Sequence, residues 1–260
     1  MSRGPRPSPP AALHYVQAGD GVPLVLLHGI GATHEDFESQ IPVFSREFRV
    51  IAPDLRGYGD SPPGDDYRIE SFAGDVWALL QRLGVDRFNL LGHSMGGAVA
   101  MRMAADQPRR IIRLVLADTL PSFVADTLGK SLMYVYRRMM MRIFGPRRLS
   151  LAVAANLFPR PEQAALRARV AARNVRHSRR VYLQTLDALY GWSIEDQLHR
   201  LTMPTLLLAA EHDYFPEADA RAFAARLPNA RLLLIAGAHH ALPLEVPAAF
   251  NRAVLEFLRG

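Results

Sequence analysis

The residues best placed to do chemistry in this chain are Gly92-His93-Ser94-Met95-Gly96-Gly97. A serine hydroxyl is a poor nucleophile unless a base takes its proton and a fixed backbone presents it. A tight strand-to-helix turn meets the second condition. It tolerates only small residues two positions to either side, the places held by Gly92 and Gly96. A helix starting there would aim its dipole and the Met95 N–H at a developing oxyanion. Chance alone supplies such a pentapeptide in roughly one chain in twenty of this glycine and serine content, so the flanking elements must decide. A second group, His28-Gly29-Ile30-Gly31, closes another apolar run. Its glycines let backbone approach a ligand closely, and the Ile30 N–H is the candidate second oxyanion donor. His28 and His93 read first as residues that pack and bond loop backbone. With Gly29 they are also the candidate substrate contacts that the sequence offers.

Six apolar runs could position these groups, at residues 23–28, 48–52, 87–91, 112–117, 205–209 and 231–235. They are continuous rather than alternating, which suits strands buried on both faces of a parallel sheet. Between them Phe72, Val76, Leu79, Leu80 and Leu83 share one helical face. Phe250, Val254, Phe257 and Leu258 share another, entered through Pro247. Residues 98–105 are helical in composition and stop at Pro108. Alternation of strand and helix predicts an α/β sheet flanked by helices, with the site at the carboxyl ends of the strands. The alternation lapses over residues 121–200. That stretch predicts an all-helical cap with helices near 132–143, 149–157, 161–174 and 181–190, inserted between core segments 12–120 and 201–260. Residues 1–11 read as a flexible, proline-rich leader.

At 260 residues and 49% hydrophobic, the chain has material for one large domain or a core with one insertion. It contains no cysteine, which excludes a disulfide framework, a zinc–thiolate site, an iron–sulfur cluster and a cysteine nucleophile. No apolar h-region follows the first residues and no apolar stretch approaches a membrane span, so the expectation is a cytoplasmic protein. The formal charge is +6, carried almost wholly by arginine. Residues 121–200 hold 14 Lys+Arg against 5 Asp+Glu, so the basicity belongs to the helical segment. Within it Arg169, Arg173, Arg176 and Arg180 fall at helical spacing and read as a solvated face. Attraction to anionic lipid or an acidic substrate is the sharper alternative. Nucleic-acid binding is not expected, because the arginines are not interleaved with aromatic residues. Met139, Met140, Met141, Tyr134, Tyr136 and Phe144 read either as the apolar roof of a pocket or as helix packing.

The serine turn, the His-Gly-x-Gly loop and Asp54-Leu55-Arg56-Gly57-Tyr58-Gly59-Asp60-Ser61 stand in the order and spacing of the α/β-hydrolase superfamily, which residues 12–119 and 201–260 resemble. The resemblance implies an acid after a late strand and a histidine near the C-terminus. Asp213 matches the acid position, with Glu211 and Asp118 as rivals. The family's Gly-His-x-x-x-x-Glu-x-Pro pattern, counted back from Glu245, puts the base at His240; His239 fills the usual glycine place and is the alternative. The resemblance therefore implies a serine hydrolase that cleaves a small-molecule carboxylic ester, with an apolar group suggested by the lipophilic cap. Ser94 is the nucleophile, His240 the base, Asp213 its partner, and Ile30 and Met95 the oxyanion donors. It calls for no metal or organic cofactor. Lactone, thioester or C–C bond hydrolysis could use the same groups, as could a non-catalytic ligand sensor.

Overall fold

A computed structural model describes residues 9–174 and 178–260. Seven strands form one sheet: β1 (Tyr15–Ala18), β2 (Val22–Leu27), β3 (Phe48–Pro53), β4 (Phe88–His93), β5 (Ile111–Ala117), β6 (Thr205–His212) and β7 (Ala230–His239). Their order across the sheet is β1-β3-β2-β4-β5-β6-β7, with β1 antiparallel to β3 and every other pair parallel. The apolar runs are unbroken because adjacent residues feed two different cores. Val25 and Leu27 point into the layer that holds Phe72, Val76 and Val99, whereas Leu24 and Leu26 meet Phe250 and Val254 on the other face. The helices behind these layers are α1 (Ile41–Phe44), α2 (Ile69–Arg82), α3 (Met95–Asp106), α8 (Glu217–Arg226), α9 (Leu242–Glu245) and α10 (Pro247–Arg259).

Strand β1 escaped the sequence reading because it is a short edge strand with a mixed, half-exposed face rather than an apolar run. Strands β6 and β7 also run several residues past their apolar cores, and beyond a bulge His212 pairs with His239. That extension sets the start of the loops that follow them. The end of the leader is anchored: the Ala11 N–H donates to Asp75 at 2.6 Å and the Pro9 carbonyl accepts from Arg56 at 3.3 Å. Residues 1–8 lie outside the described residues.

Between β5 and β6 lie α4 (Leu128–Met139), α5 (Gly145–Leu157), α6 (Ala164–Asn174) and α7 (Arg179–Leu189). Helix α4 ends in a wide π turn over Met140–Phe144, and Gly145 takes φ +74° to start α5. Helix α4 buries none of its residues fully; Leu128 and Leu132 are 76% and 59% exposed. Of the arginine stripe, Arg169 and Arg180 are exposed as a solvated face requires, but Arg169 and Arg173 also reach acidic partners. Arg169 pairs with Glu38 at 2.5 Å, and Arg173 pairs with Glu35, Asp36 and Glu38 on the loop after β2. Two of its four residues thus tie α6 to the sheet domain. Arg180 bonds Gln184 at 3.4 Å, and Arg176 lies outside the described residues. Among the described residues no helix is long and apolar enough to cross a membrane.

Candidate active site

Strands β2 and β4 are neighbours in the sheet, with Leu27 opposite Gly92, so the loops that leave their carboxyl ends run side by side. The first carries Ile30 and the second carries Ser94 and Met95. Ser94 sits at the tip of the turn with φ +53° and ψ −120°, a conformation an L-residue adopts only when its surroundings compel it. Packing compels it here. A Cβ on Gly96 would stand 2.1 Å from the Leu27 carbonyl oxygen, and one on Gly92 would stand 2.3 Å from that of Gly96. The Ser94 N–H donates to the Ala117 carbonyl at 2.9 Å, and Thr119 Oγ1 donates to the Ser94 carbonyl at 2.9 Å, so the strained peptide is held from both sides. Met95 opens α3, where no preceding turn supplies an acceptor for its N–H.

His240 Nε2 lies 2.9 Å from Ser94 Oγ, and His240 Nδ1 lies 2.5 Å from Asp213 Oδ1. The three side chains come from the ends of β4, β6 and β7. Burial pushes the Asp213 carboxyl upward, but the facing His240 imidazole and the hydrogen bonds from His240, Asp118 and the Phe215 N–H outweigh it and hold the group below its ordinary range. The Tyr214 ring lies over His240 with centroids 4.5 Å apart, and Phe215 meets it edge-on at 5.6 Å. His239 faces elsewhere. Its Nδ1 and its backbone N–H both bond Glu245, and its ring packs on His212. Glu211 accepts from the Gly237 N–H at 2.7 Å, away from the imidazole.

Asp118, the other rival acid, occupies a position the sequence did not reveal. It ends β5 with φ +47°, is buried, and accepts from the backbone N–H groups of Ala210 at 3.1 Å and Leu242 at 3.3 Å. Its ligand atoms, those of Asp213 and those of His240 lie within 4.8 Å of one another. Burial, and then the charge of Asp213, raise the Asp118 carboxyl well above the usual range, so of the two carboxyls it holds a proton the more tightly and is the one placed to donate it to Asp213. Two carboxyl groups of opposite proton affinity thus stand behind the imidazole. No sequence signal marks this pairing, because it depends on burial and on residues 95 positions apart.

Neither His28 nor His93 lines the cavity above Ser94, and Gly29 does not either. His28 is fully buried: its Nε2 accepts from the Leu55 N–H at 2.9 Å, so its proton sits on Nδ1 and is donated to the Gly29 carbonyl. Gly29 is pressed against Ser94, whose Cβ would be 3.2 Å from an added one. His93 donates from Nε2 to the His240 carbonyl at 2.8 Å, and burial lowers its pKa. These residues pack and bond beneath the cavity and are not among its lining.

The cavity has a volume of about 540 Å³, with Ser94 and His240 in its floor and Phe123, Leu189, Met133 and Phe215 among its walls. Ile30 borders it. The methionine run is not its roof: Met141 packs against Leu149 and Tyr182, and Met139, Tyr136 and Phe144 are exposed. The roof residues of α4 are Met133 and Arg137. Two clusters have the composition of a metal site among the described residues, Asp118–Asp213–His240 and His14–His34–Asp54. In the second, both imidazoles bond Asp54 at 2.9 Å, and Asp54 also accepts from the backbone of His34 and Asp60. That cluster closes the Asp54–Ser61 loop by itself.

A family model described as the alpha/beta hydrolase fold matches residues 22–247. The chain belongs to this family. As an α/β hydrolase it is 30% identical, over 95% of its length and 98% of the other's, to a RutD protein of Pseudomonas savastanoi pv. phaseolicola whose name proposes a carbamate hydrolase. Its structure resembles that of a hydrolase from Pseudomonas aeruginosa PA01, with TM-score 0.86, 30% identity, and coverage of 96% of this chain and 95% of that one. It also resembles an enol-lactonase from Burkholderia xenovorans LB400, with TM-score 0.89, 26% identity, and coverage of 98% and 100%.

Proposed function

We propose that this α/β hydrolase cleaves carboxylic esters through a covalent acyl-enzyme. The carrying observation is the relay from Ser94 Oγ to His240 Nε2 at 2.9 Å and from His240 Nδ1 to Asp213 at 2.5 Å, beneath a cavity large enough for a small ester. In this reading Ser94 Oγ attacks the acyl carbon as its proton passes to His240, and Asp213 steadies the imidazolium. The Ile30 and Met95 N–H groups receive the oxyanion of the tetrahedral intermediate. Collapse expels the alcohol, which takes the proton from His240. Water then gives its proton to the same imidazole, attacks the acyl carbon, and releases the acid and Ser94. The helices between β5 and β6 act as a cap that decides which acyl and alcohol groups fit.

The carbamate hydrolase and enol-lactonase among the relatives point to carbamates and lactones as competing substrates for the same machinery. A panel of p-nitrophenyl acyl esters, lactones, carbamates and thioesters ranks these classes. A fluorophosphonate probe should label the wild type and leave Ser94→Ala unlabelled. His240→Ala should lower kcat by roughly 10³-fold or more, and His239→Ala far less. Labelling that survives Ser94→Ala, or equal losses at the two histidines, refutes the assignment.

A further inference from the structure

Arg137 occupies an unusual place in the cap. Lys130, Met133 and Arg137 lie on one face of α4 and line the cavity over Ser94, while Leu132, Val135 and Tyr136 of the same helix face out. Arg137 also borders a smaller cavity with Ile30, Met141 and Tyr182, so the half-buried side chain stands between two voids. Its Cζ stands 5.6 Å from the ring centroid of Tyr214, and that ring is 4.5 Å from the His240 imidazole. Together the two separations put the charge within about 10 Å of the candidate base.

Three other arginines that lie inside the fold or tie its elements together have acidic partners. Arg56 bonds both oxygens of Asp75, Arg173 pairs with Glu38, and Arg138, the next residue, pairs with Asp187. Among the described residues no carboxylate lies within ion-pair distance of Arg137. What surrounds it is a phenolic cage. Burial opposes its charge, but the phenols of Tyr182, Tyr214 and Tyr190 more than compensate, so the guanidinium stays protonated. Of the other charged groups on the cavity wall, Asp126 and Lys130 bond each other at 2.8 Å, and Asp219 is half-buried on α8. Even a half-buried charge without a counter-ion carries a desolvation cost, and the guanidinium fork matches the two oxygens of a carboxylate. Beside the apolar walls formed by Met133, Phe123, Leu189 and Phe215 such a pair is screened less than at an open surface.

We propose that Arg137 is the anchor for a carboxylate on the substrate, and that the preferred substrates are half esters of dicarboxylic acids. The ester carbonyl lies at Ser94 while the distant carboxylate reaches the roof. This inference rests on the esterase reading given above, and the test separates the two. The p-nitrophenyl half esters of glutaric, adipic and suberic acids are compared with neutral p-nitrophenyl esters of equal length. The wild type should favour the best anionic ester by about tenfold or more in kcat/KM. Arg137→Met should lose about 100-fold on that ester and less than about threefold on its neutral counterpart, with Arg137→Lys in between. Equal losses on both series, or no anionic preference in the wild type, would overturn the proposal while leaving the esterase reading intact. Calorimetric titration of Ser94→Ala with adipate needs no turnover and decides the matter even if no ester is cleaved. Adipate should bind, and the additional Arg137→Met, or Arg137→Gln if that variant does not fold, should abolish the heat. Failure of adipate to bind Ser94→Ala, or undiminished binding without the guanidinium, rejects the anchor.

Discussion

Asp118 offers the sharpest test of how the site is held. It accepts two buried backbone N–H groups, from Ala210 on β6 and from Leu242 at the start of α9, the elements that present Asp213 and His240. Asp118→Ala removes both acceptors from a place water does not reach. Each orphaned donor costs about 1–3 kcal/mol, and the cavity adds to that, so a loss of roughly 2–6 kcal/mol is expected. For a chain of this size that corresponds to a melting temperature lower by roughly 5–20 °C. Asp118→Asn keeps the shape, one acceptor and the charge of a protonated carboxyl. It should cost about 1–2 kcal/mol and leave kcat/KM within about tenfold of wild type. Its pH profile should keep its acid limb, because no charge beside Asp213 has been removed. Were Asp118 ionised, its loss would destabilise the imidazolium and move that limb downward by about one unit or more. Calorimetry and a pH–rate series on the two variants suffice. An Asp118→Ala protein that melts with the wild type, or an Asp118→Asn profile displaced to lower pH, would refute the account.

Asp36 yields a stability prediction with a definite sign. Burial lifts its pKa from 3.8 to about 6 against the pull of His93 and Arg173. The folded state therefore binds this proton more tightly than the unfolded chain, and stability from this group is present below about pH 4 and lost as pH rises through about 6. Two units correspond to about 3 kcal/mol, so Asp36→Asn should gain up to that amount over wild type between pH 4 and pH 7.5 in urea unfolding. A difference independent of pH would contradict it. At the serine turn, Gly96→Ala should abolish soluble, active protein, because its Cβ would meet backbone oxygens of Leu27 and His28 at 2.1 and 2.7 Å. Near-normal expression and melting would show that the turn can yield.

The parts of this molecule that sequence exposes are those where one residue type answers one local demand. The double-faced runs of β2, β4 and β5 are visible because both sides of each strand are covered. The serine turn is visible because only glycine fits beside it. Asp213 and His240 came from resemblance and spacing, not from their own surroundings. Helix α8, with an alanine-rich sequence and few apolar anchors, carried no comparable signal. The arginine stripe was legible only in part because charge periodicity says nothing about what faces it, and Glu35, Asp36 and Glu38 lie about 135 residues upstream. Asp118 and Arg137 are legible only in three dimensions, since their states follow from burial and from neighbours that the fold brings in.

The Arg173 clamp also has a mechanical side. It grips the stretch that runs on from Ile30, while Ile30 itself packs against Tyr182 and Met141 of the helical segment. The loop that carries Ile30, the oxyanion donor of the proposed mechanism, is therefore fastened at both ends to the helical segment above it. In that mechanism, any displacement of the helical segment would pull on the donor's own footing, so the segment that bounds the cavity also holds the donor in register.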